Sequence, residues 1–279
     1  MITGSSRGIG FALARRFLEL GCRVTIAGRS DATTRAAMDK LTQALPAQAS
    51  ALSFRTCDVT RTGDLEALWQ HATAQAPVDI WINNAGVSPP LALFWDVPAQ
   101  ALEDVIDSNV KGAMMGAWVA MRGMRAQNSG TIYNIVGFGS DGMMFPGALA
   151  YGASKRAMGY ITKALALEAK GSAVRVCSMD PGVVRTDMVE ETWRNVSSSS
   201  RLMAAVIRSL ALEADEVARL LAPRLLANQR AGALVRPWNP FVAWLRLFLV
   251  PLALLRGALA GRTGPAAPDP GTRPTSKAD

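Results

Sequence analysis

The chain is poor in the side chains that carry much of enzyme chemistry: 279 residues contain a single histidine, His71, three cysteines, and only 19% charged residues. One histidine leaves little material for His-Asp pairs or multi-histidine metal sites, so proton transfer must rest on Tyr, Lys, Ser or carboxylates. Cys22, Cys57 and Cys177 lie far apart, are odd in number and form no CxxC. That argues against a disulfide framework or zinc knuckle and fits a reducing, cytoplasmic compartment. A basic stripe interleaved with aromatics is also missing, which argues against a nucleic-acid partner. The opening Met1-Ile2-Thr3-Gly4 has no basic stretch leading into an apolar core, so no secretory signal is read.

What is present points to a large packed domain. Hydrophobic residues make up 49% of the chain and the net charge is only +8, a balance that excludes global disorder. The charge is uneven. From Arg230 onward Arg230, Arg236, Arg246, Arg256, Arg262, Arg273 and Lys277 face only Asp269 and Asp279. Through residues 2–180, short β-branched runs at 23–27, 78–82, 131–136 and 174–177 alternate with helical periodicity, as at 11–20 and 153–169. This alternation predicts βαβ units, and hence an α/β fold with a parallel sheet covered by helices on both faces.

Three regions follow. Residues 1–230 form the main domain, 231–262 an apolar, basic C-terminal element, and 263–279 a Pro- and Gly-rich tail that reads as disordered. Residues 238–262 are broken by Pro240, Arg246, Pro251 and Arg256, too interrupted for the roughly 20 apolar residues of a membrane span. Their tryptophans and arginines suit either a membrane surface, where guanidinium groups snorkel, or a protein interface. The N-terminus is unusual, because a Gly-rich turn that should follow a complete strand begins at Thr3. Either upstream residues belong to the strand or the strand is a stub, and restoring about five residues, a typical strand length, is expected to raise stability.

Two motifs carry chemistry. Thr3-Gly4-Ser5-Ser6-Arg7-Gly8-Ile9-Gly10 precedes an amphipathic run from Phe11. Glycines there permit a sharp turn and close approach to a pyrophosphate, which the helix N-terminus attracts. An ordinary strand-to-helix turn would look similar. In Tyr151-Gly152-Ala153-Ser154-Lys155 the phenol and ammonium lie four residues apart, on one helical face. A cation beside a phenol lowers its pKa and makes it a general acid or base, although a surface helical pair has the same spacing.

With Asn83-Asn84-Ala85-Gly86 after a strand-like run, Asp58-Val59, Asn109 and Pro181-Gly182, the set resembles the short-chain dehydrogenase/reductase family from Thr3 to about Leu226. The resemblance implies a seven-stranded Rossmann-type doubly wound sheet, a nicotinamide cofactor and a homo-oligomer. It makes Tyr151 the proton donor to a substrate carbonyl and Lys155 the residue that holds the cofactor ribose and depresses the Tyr pKa. Asn109 would hold a water linking Lys155 to solvent. Cofactor contacts fall to Thr3, Gly4, Ser6, Arg7, Gly8, Ile9, Gly10, Asp58, Val59, Asn84, Ala85, Gly86, Pro181, Gly182, Val183 and Thr186. Asp58 could instead cap a helix and Asn84 satisfy its own turn.

The second strand ends Ala27-Gly28-Arg29-Ser30, without the acid that would bind a ribose 2′-hydroxyl. Arg29 and Arg7 are placed for a 2′-phosphate, so NADPH is the expected cofactor. The family's catalytic serine follows the strand before Tyr, but here the chain reads Asn134-Ile135-Val136-Gly137. Ser140, eleven residues before Tyr151, is the nearest hydroxyl and is expected to anchor the carbonyl oxygen. The loop Gly137-Phe138-Gly139-Ser140-Asp141-Gly142, with 80–86 and 215–224, resembles the chlorophyll(ide) b reductase branch of the non-yellow-colouring type, which reduces a ring formyl group. Val136 departs from that branch, which tends to have an acid there.

Met143, Met144 and Phe145, with Met188, Trp193, Met203, Val206 and Ile207, would flank the nicotinamide and suit a large apolar ligand. The expected activity is NADPH-dependent reduction of an aldehyde or ketone on a hydrophobic substrate, by a cytoplasmic protein with peripheral membrane contact through 238–262. The alternative is a catalytically weak nucleotide-binding scaffold docked at a membrane.

Overall fold

The computed structural model describes residues 1–192 and 211–238. The elements run α1 (Gly8–Glu19), β1 (Val24–Gly28), α2 (Asp31–Ala44), β2 (Leu52–Thr56), α3 (Thr62–Thr73), β3 (Ile80–Asn83) and α4 (Ala99–Val105). They continue with α5 (Ala113–Gln127), β4 (Gly130–Ile135), α6 (Leu149–Glu168), β5 (Val174–Met179), β6 (Val184–Arg185), α7 (Asp187–Thr192), β7 (Leu212–Glu213), α8 (Ala214–Ala227) and β8 (Leu234–Val235). The strand cores β1 and β4 are buried at every position, as expected of parallel strands covered on both faces.

All pairings are parallel. β2 pairs β1, while β3, β4, β5 and β8 form a second run. The two runs are joined by the N-terminal residues, because Ile2 bridges both Ile26 and Ile82. Ile2 N donates to Thr25 O at 3.1 Å, Thr3 N to Ile82 O at 3.1 Å, and Ile82 N to Met1 O at 3.0 Å. A three-residue stub therefore holds the central strand position, and Ile2 is 1% exposed.

Below the stub, at the N-terminal edge of the sheet, a cleft of about 340 Å³ is lined by Met1, Cys22, Val24, Pro77, Asp79 and Ile80 among others. Met1 lines this cleft, and its amino group donates to Ile80 O at 2.8 Å. Adding about five residues ahead of Met1 is expected to raise Tm, by about 2–4 °C per kcal/mol gained; an unchanged melt would contradict this.

Two apolar layers cover the sheet. On one face α1, α2 and α8 bury Leu13, Leu18, Leu41, Val217 and Leu221. On the other, α3 and α5 bury Leu65, Leu68, Ala120 and Met124 against Trp81 and Ile132. A buried polar chain crosses from the sheet to α6. Trp81 Nε1 donates to Asn83 Oδ1 at 2.8 Å, Asn83 Nδ2 to Asn134 Oδ1 at 2.8 Å, and Asn134 Nδ2 to Thr162 Oγ1 at 3.0 Å. A satisfied buried network of this kind fixes one packing of α6, and α6 carries Tyr151 and Lys155.

The main domain reaches past the boundary drawn at 230. β8 continues the sheet as its last strand, with Ser178 and Met179 opposite Leu234 and Val235. Two residues are too short a strand to register as a periodic run. The expected element at 238–262 lies, apart from Trp238, outside the described residues, as does the 263–279 tail. Among the described residues no helix is long and apolar enough to cross a membrane.

Candidate active site

The motif residues meet at the C-terminal edge of the sheet, where open parallel sheets bind their ligands. The Gly-rich turn leads from the stub into α1. Gly4 and Gly8 have φ of +60° and +59°. A Cβ on Gly4 would lie 2.6 Å from Ala85 Cα, and one on Gly10 would lie 2.5 Å from Asn84 Nδ2 and 2.6 Å from Gly4 O. The glycines are thus required by contact with the Asn84–Gly86 segment as well as by the turn.

That contact is held by side chains the sequence analysis assigned to the cofactor. Asn84 Nδ2 donates to Thr3 O and Gly4 O, both at 2.8 Å. Thr3 Oγ1 accepts from Asn84 N at 3.0 Å and Ala85 N at 3.1 Å. Thr3 and Asn84 therefore shape the turn through protein bonds. Arg7, at the N-cap of α1, makes no side-chain cap bond, so the 12-residue helix opens without a capping side chain. An uncapped helix start preceded by positive-φ glycines is a cradle that fits a pyrophosphate.

Asp58 follows β2 at the same edge, and one of its carboxylate oxygens is engaged locally. Oδ1 accepts from Thr60 N at 3.0 Å and Thr60 Oγ1 at 2.8 Å. Val59 packs on Gly112, where a Cβ would meet Val59 Cγ2 at 2.8 Å. Ser6 lies against Gly28 at the end of β1, with Oγ 3.3 Å from where a Cβ would stand, and the following Arg29 is exposed. Pro181 and Gly182 turn the chain out of β5, Gly182 N donating to Asp180 Oδ1 at 3.0 Å. Val183 O accepts from Leu212 N at 3.1 Å. Thr186 stands over the Gly-rich turn, its Cγ2 3.4 Å from a Cβ on Gly8, and its Oγ1 accepts from Val189 N at 3.4 Å at the start of α7. Beside it Asp187 pairs with Arg7 at 3.6 Å, both side chains being 70% exposed.

Asn109 is buried because the chain between α4 and α5 is π-helical over Ile106–Gly112. A π-bulge rotates one residue out of the α-helical register, and such bulges gather at functional sites. Asn109 Oδ1 accepts from Val87 N at 2.8 Å, while Nδ2 donates to Val87 O at 2.9 Å and Ser154 Oγ at 3.1 Å. Ser154 in turn donates to Tyr151 O at 2.7 Å. Asn109 thus ties the Asn84–Gly86 segment to the turn of α6 that carries the Tyr-Lys pair.

Lys155 Nζ donates to Ile135 O at 3.2 Å and lies 5.5 Å from the Tyr151 ring centroid. The expected lowering of the phenol by its neighbour is absent from the structure. Burial pushes the Tyr151 phenol up to about 12, and the Asp180 carboxylate raises it further. Burial lowers the Lys155 ammonium to about 8, against an opposing pull from Asp180. The ammonium lies over the ring and bonds a backbone carbonyl, and burial dominates the phenol.

Ser140 makes no hydrogen bond to this pair among the described residues, but its N donates to Gly137 O at 3.0 Å, which keeps it one tight turn from the residue that faces the phenol. Its loop runs along α6, with Gly137 facing the Tyr151 hydroxyl at 3.7 Å from a built Cβ and Gly139 pressed on Gly152. Ser140 comes next to Gly159, its Cβ 3.8 Å from a Cβ there, and its carbonyl accepts from Arg156 Nη1 at 3.1 Å. Ser140→Ala is expected to cost about 10²–10³ in kcat, the worth of an oxyanion donor; steady-state rates within about threefold of wild type would remove Ser140 from the site.

Apolar side chains ring the mouth. Gly147 abuts Ala92, whose backbone N would be 3.3 Å from a Cβ, and Leu91 N donates to Thr192 O at 3.3 Å. The 91–95 and 143–149 loops and α7 therefore converge. Trp95 and Met144 are 77% and 94% exposed there, with Phe94, Met143 and Leu149 also out. Trp193, Met203, Val206 and Ile207 lie outside the described residues.

Known proteins resemble this chain in sequence and in fold. A family model described as short chain dehydrogenase matches residues 1–197. The chain is 33% identical to chlorophyll(ide) b reductase NOL of Arabidopsis thaliana over 257 residues, covering 89% of this chain and 71% of the relative. To the protein of that name from Oryza sativa subsp. japonica it is 36% identical, covering 89% and 72%. Among solved structures, actinorhodin polyketide ketoreductase with NADPH matches at 27% identity and a TM-score of 0.71, covering 84% of this chain and 94% of that one. A 3-ketoacyl-(acyl-carrier-protein) reductase from Brucella melitensis complexed with NADH shares the fold at 22% identity and a TM-score of 0.71, with the same coverage.

Proposed function

The chain belongs to the short-chain dehydrogenase/reductase family and is an NAD(P)-dependent oxidoreductase, and from that premise we propose that it reduces an aldehyde or ketone on a large apolar substrate with NADPH. The observation that carries the reading is the convergence of the Tyr151–Lys155 pair, the uncapped start of α1 and an exposed apolar rim at one edge of the sheet. When bound, the cofactor supplies the hydride. The protein supplies the rest. The Gly4 and Gly8 turn and the start of α1 hold the pyrophosphate, and Lys155 holds the ribose. Tyr151 gives its phenolic proton to the carbonyl oxygen as negative charge develops there. Asn109 braces α6 through Ser154 so that the phenol stays aimed at the substrate.

The substrate class follows from the rim. Trp95, Phe94, Met143 and Met144 offer wide, adaptable apolar contact, and thioethers suit an irregular or flat ring system. A formyl group on a tetrapyrrole such as chlorophyllide b has this character, and relatives bearing that activity in their names support it as the first substrate to test. The same apolar surface gives a membrane-bound or self-associating protein a reason to form, and a homo-oligomer is part of the proposal.

NADPH is favoured by Arg29 and Ser30 in the two places directly after β1, where no acid stands, and by the exposure of Arg29 and Arg7. The Arg7–Asp187 ion pair is largely solvated, of a kind worth under about 1 kcal/mol, so it gives way readily to a phosphate. Arg29→Ala is expected to raise KM for NADPH about tenfold or more, the loss of one charge-assisted phosphate contact at roughly 1.5–3 kcal/mol, and to leave KM for NADH unchanged. Steady-state kinetics with both cofactors checks this, and wild-type preference for NADH would overturn it.

A further inference from the structure

Asp180 is the residue at this edge that no motif accounts for. It follows Met179, the register partner of Ile135, whose carbonyl receives the Lys155 ammonium. Its backbone N donates to Val235 O at 2.9 Å, so β8 fixes its position. One carboxylate oxygen accepts from Gly182 N at 3.0 Å and the other from Arg236 Nε at 3.0 Å. Arg236 leaves β8 at once after Val235 and is braced in turn, its carbonyl accepting from Arg224 Nη1 at 2.7 Å. Trp238 closes the same corner, with its ring 3.1 Å from where a Cβ on Gly182 would stand. The last strand of the sheet therefore delivers one cation to one carboxylate beside the Tyr-Lys pair.

We propose that Asp180 and Arg236 are positioning residues that set the working pH of the Tyr151–Lys155 pair, the carboxylate holding protons on both and the guanidinium offsetting that hold. The inference rests on the roles proposed for Tyr151 and Lys155. Charge is the means. An anion near both groups favours ammonium over amine and phenol over phenolate, and a partner cation at 3.0 Å cancels much of its field. Both Tyr151 and Lys155 feel Asp180 in that sense. Other charged groups on the neighbouring elements are engaged elsewhere. Arg156 of α6 bonds Ser140 O, Arg224 of α8 bonds Arg236 O, Lys111 pairs with Asp107 in the π-helical turn, Arg185 of β6 pairs with Glu213, and Arg7 pairs with Asp187.

The two halves of this ion pair should act in opposite directions, which a purely structural bridge cannot do. Asp180→Asn keeps an acceptor for Gly182 N but removes the anion, so Lys155 should lose its proton at lower pH. Arg236→Gln exposes the anion, so Lys155 should hold its proton to higher pH. Each displacement is expected to be on the order of one pH unit, as for a nearby charge.

The full-length protein with ¹³C-labelled lysine gives a readout independent of turnover, because the chain has six lysines and Lys155→Arg assigns the signal. Its ε-carbon titration should move down in Asp180→Asn, up in Arg236→Gln, and stay near wild type in Arg236→Lys and in the double variant. The alkaline limb of kcat/KM for NADPH-driven reduction should follow. Displacements of both single variants in one direction, or a Lys155 titration that neither moves, would overturn the inference. Full activity in Tyr151→Phe would instead overturn the catalytic reading, and the lysine titration would still decide the role of Asp180 and Arg236.

Discussion

Tyr151→Phe is expected to lower kcat for carbonyl reduction by about 10²–10⁴, the usual worth of a general acid, with NADPH affinity and thermal stability nearly unchanged. The substitution deletes one oxygen. The ring that Lys155 lies over, 5.5 Å from its centroid, stays in place, and so does the Lys155 bond to Ile135 O. No other described side chain is gathered here to protonate a substrate oxygen in its stead. Gly137 faces the phenol with no side chain, and the Ser140 hydroxyl, one tight turn away, is too weak an acid to take over the proton. Initial rates of NADPH oxidation, with cofactor affinity followed by fluorescence, check the expectation. Undiminished turnover would place the acid elsewhere.

Gly4→Ala should have the largest effect on the fold and the cofactor site together. The residue has φ of +60°, and its new Cβ would lie 2.6 Å from Ala85 Cα, a backbone atom that cannot swing aside. Left-handed strain and overpacking each cost about 1–3 kcal/mol, so a loss of about 3 kcal/mol in urea unfolding is expected, with NADPH binding lost. The comparison that isolates the contact is Gly21→Ala. Gly21 has φ of +79° but nothing within 4 Å of a Cβ, so it should lose only about 1 kcal/mol and keep cofactor affinity. Equal losses in the two variants would show that the Gly4–Ala85 contact contributes nothing.

The sheet and the site core were legible because their signals are local. Alternating apolar runs set the strands and helices, and glycine, asparagine, tyrosine and lysine at short spacings marked the turn, the Asn84–Gly86 segment and α6. What sequence reasoning missed depends on pairs distant in the chain. Asp180 stands beside a recognised Pro-Gly turn, yet its partner Arg236 is 56 residues away. Asn83 and Asn134 read as motif residues or strand ends, while in the structure they bond each other across the sheet. Thr3 and Asn84 also hold the turn that would receive the cofactor, bonds that join positions 81 residues apart and leave no local signal. Ser140 sits in a glycine-rich loop with no periodicity to say which way it runs; in the structure the loop lies along α6, with Gly137 at the phenol and Ser140 one tight turn on. The pKa of Tyr151 failed for a related reason, because spacing tells that two groups share a face but not that burial outweighs their attraction.

The central claim is hydride transfer to a substrate carbonyl, and isotope transfer tests it most directly. NADPH carrying deuterium at the nicotinamide C4 position is incubated with the protein and either chlorophyllide b or a panel of aromatic aldehydes, and the product alcohols are weighed by mass spectrometry. Deuterium on the new carbinol carbon, from one face of the nicotinamide only, in step with NADPH consumed and abolished in Tyr151→Phe, is the predicted result. Bound NADPH that is never consumed, with no deuterium in any product, would contradict the account and leave a nucleotide-binding protein without this chemistry.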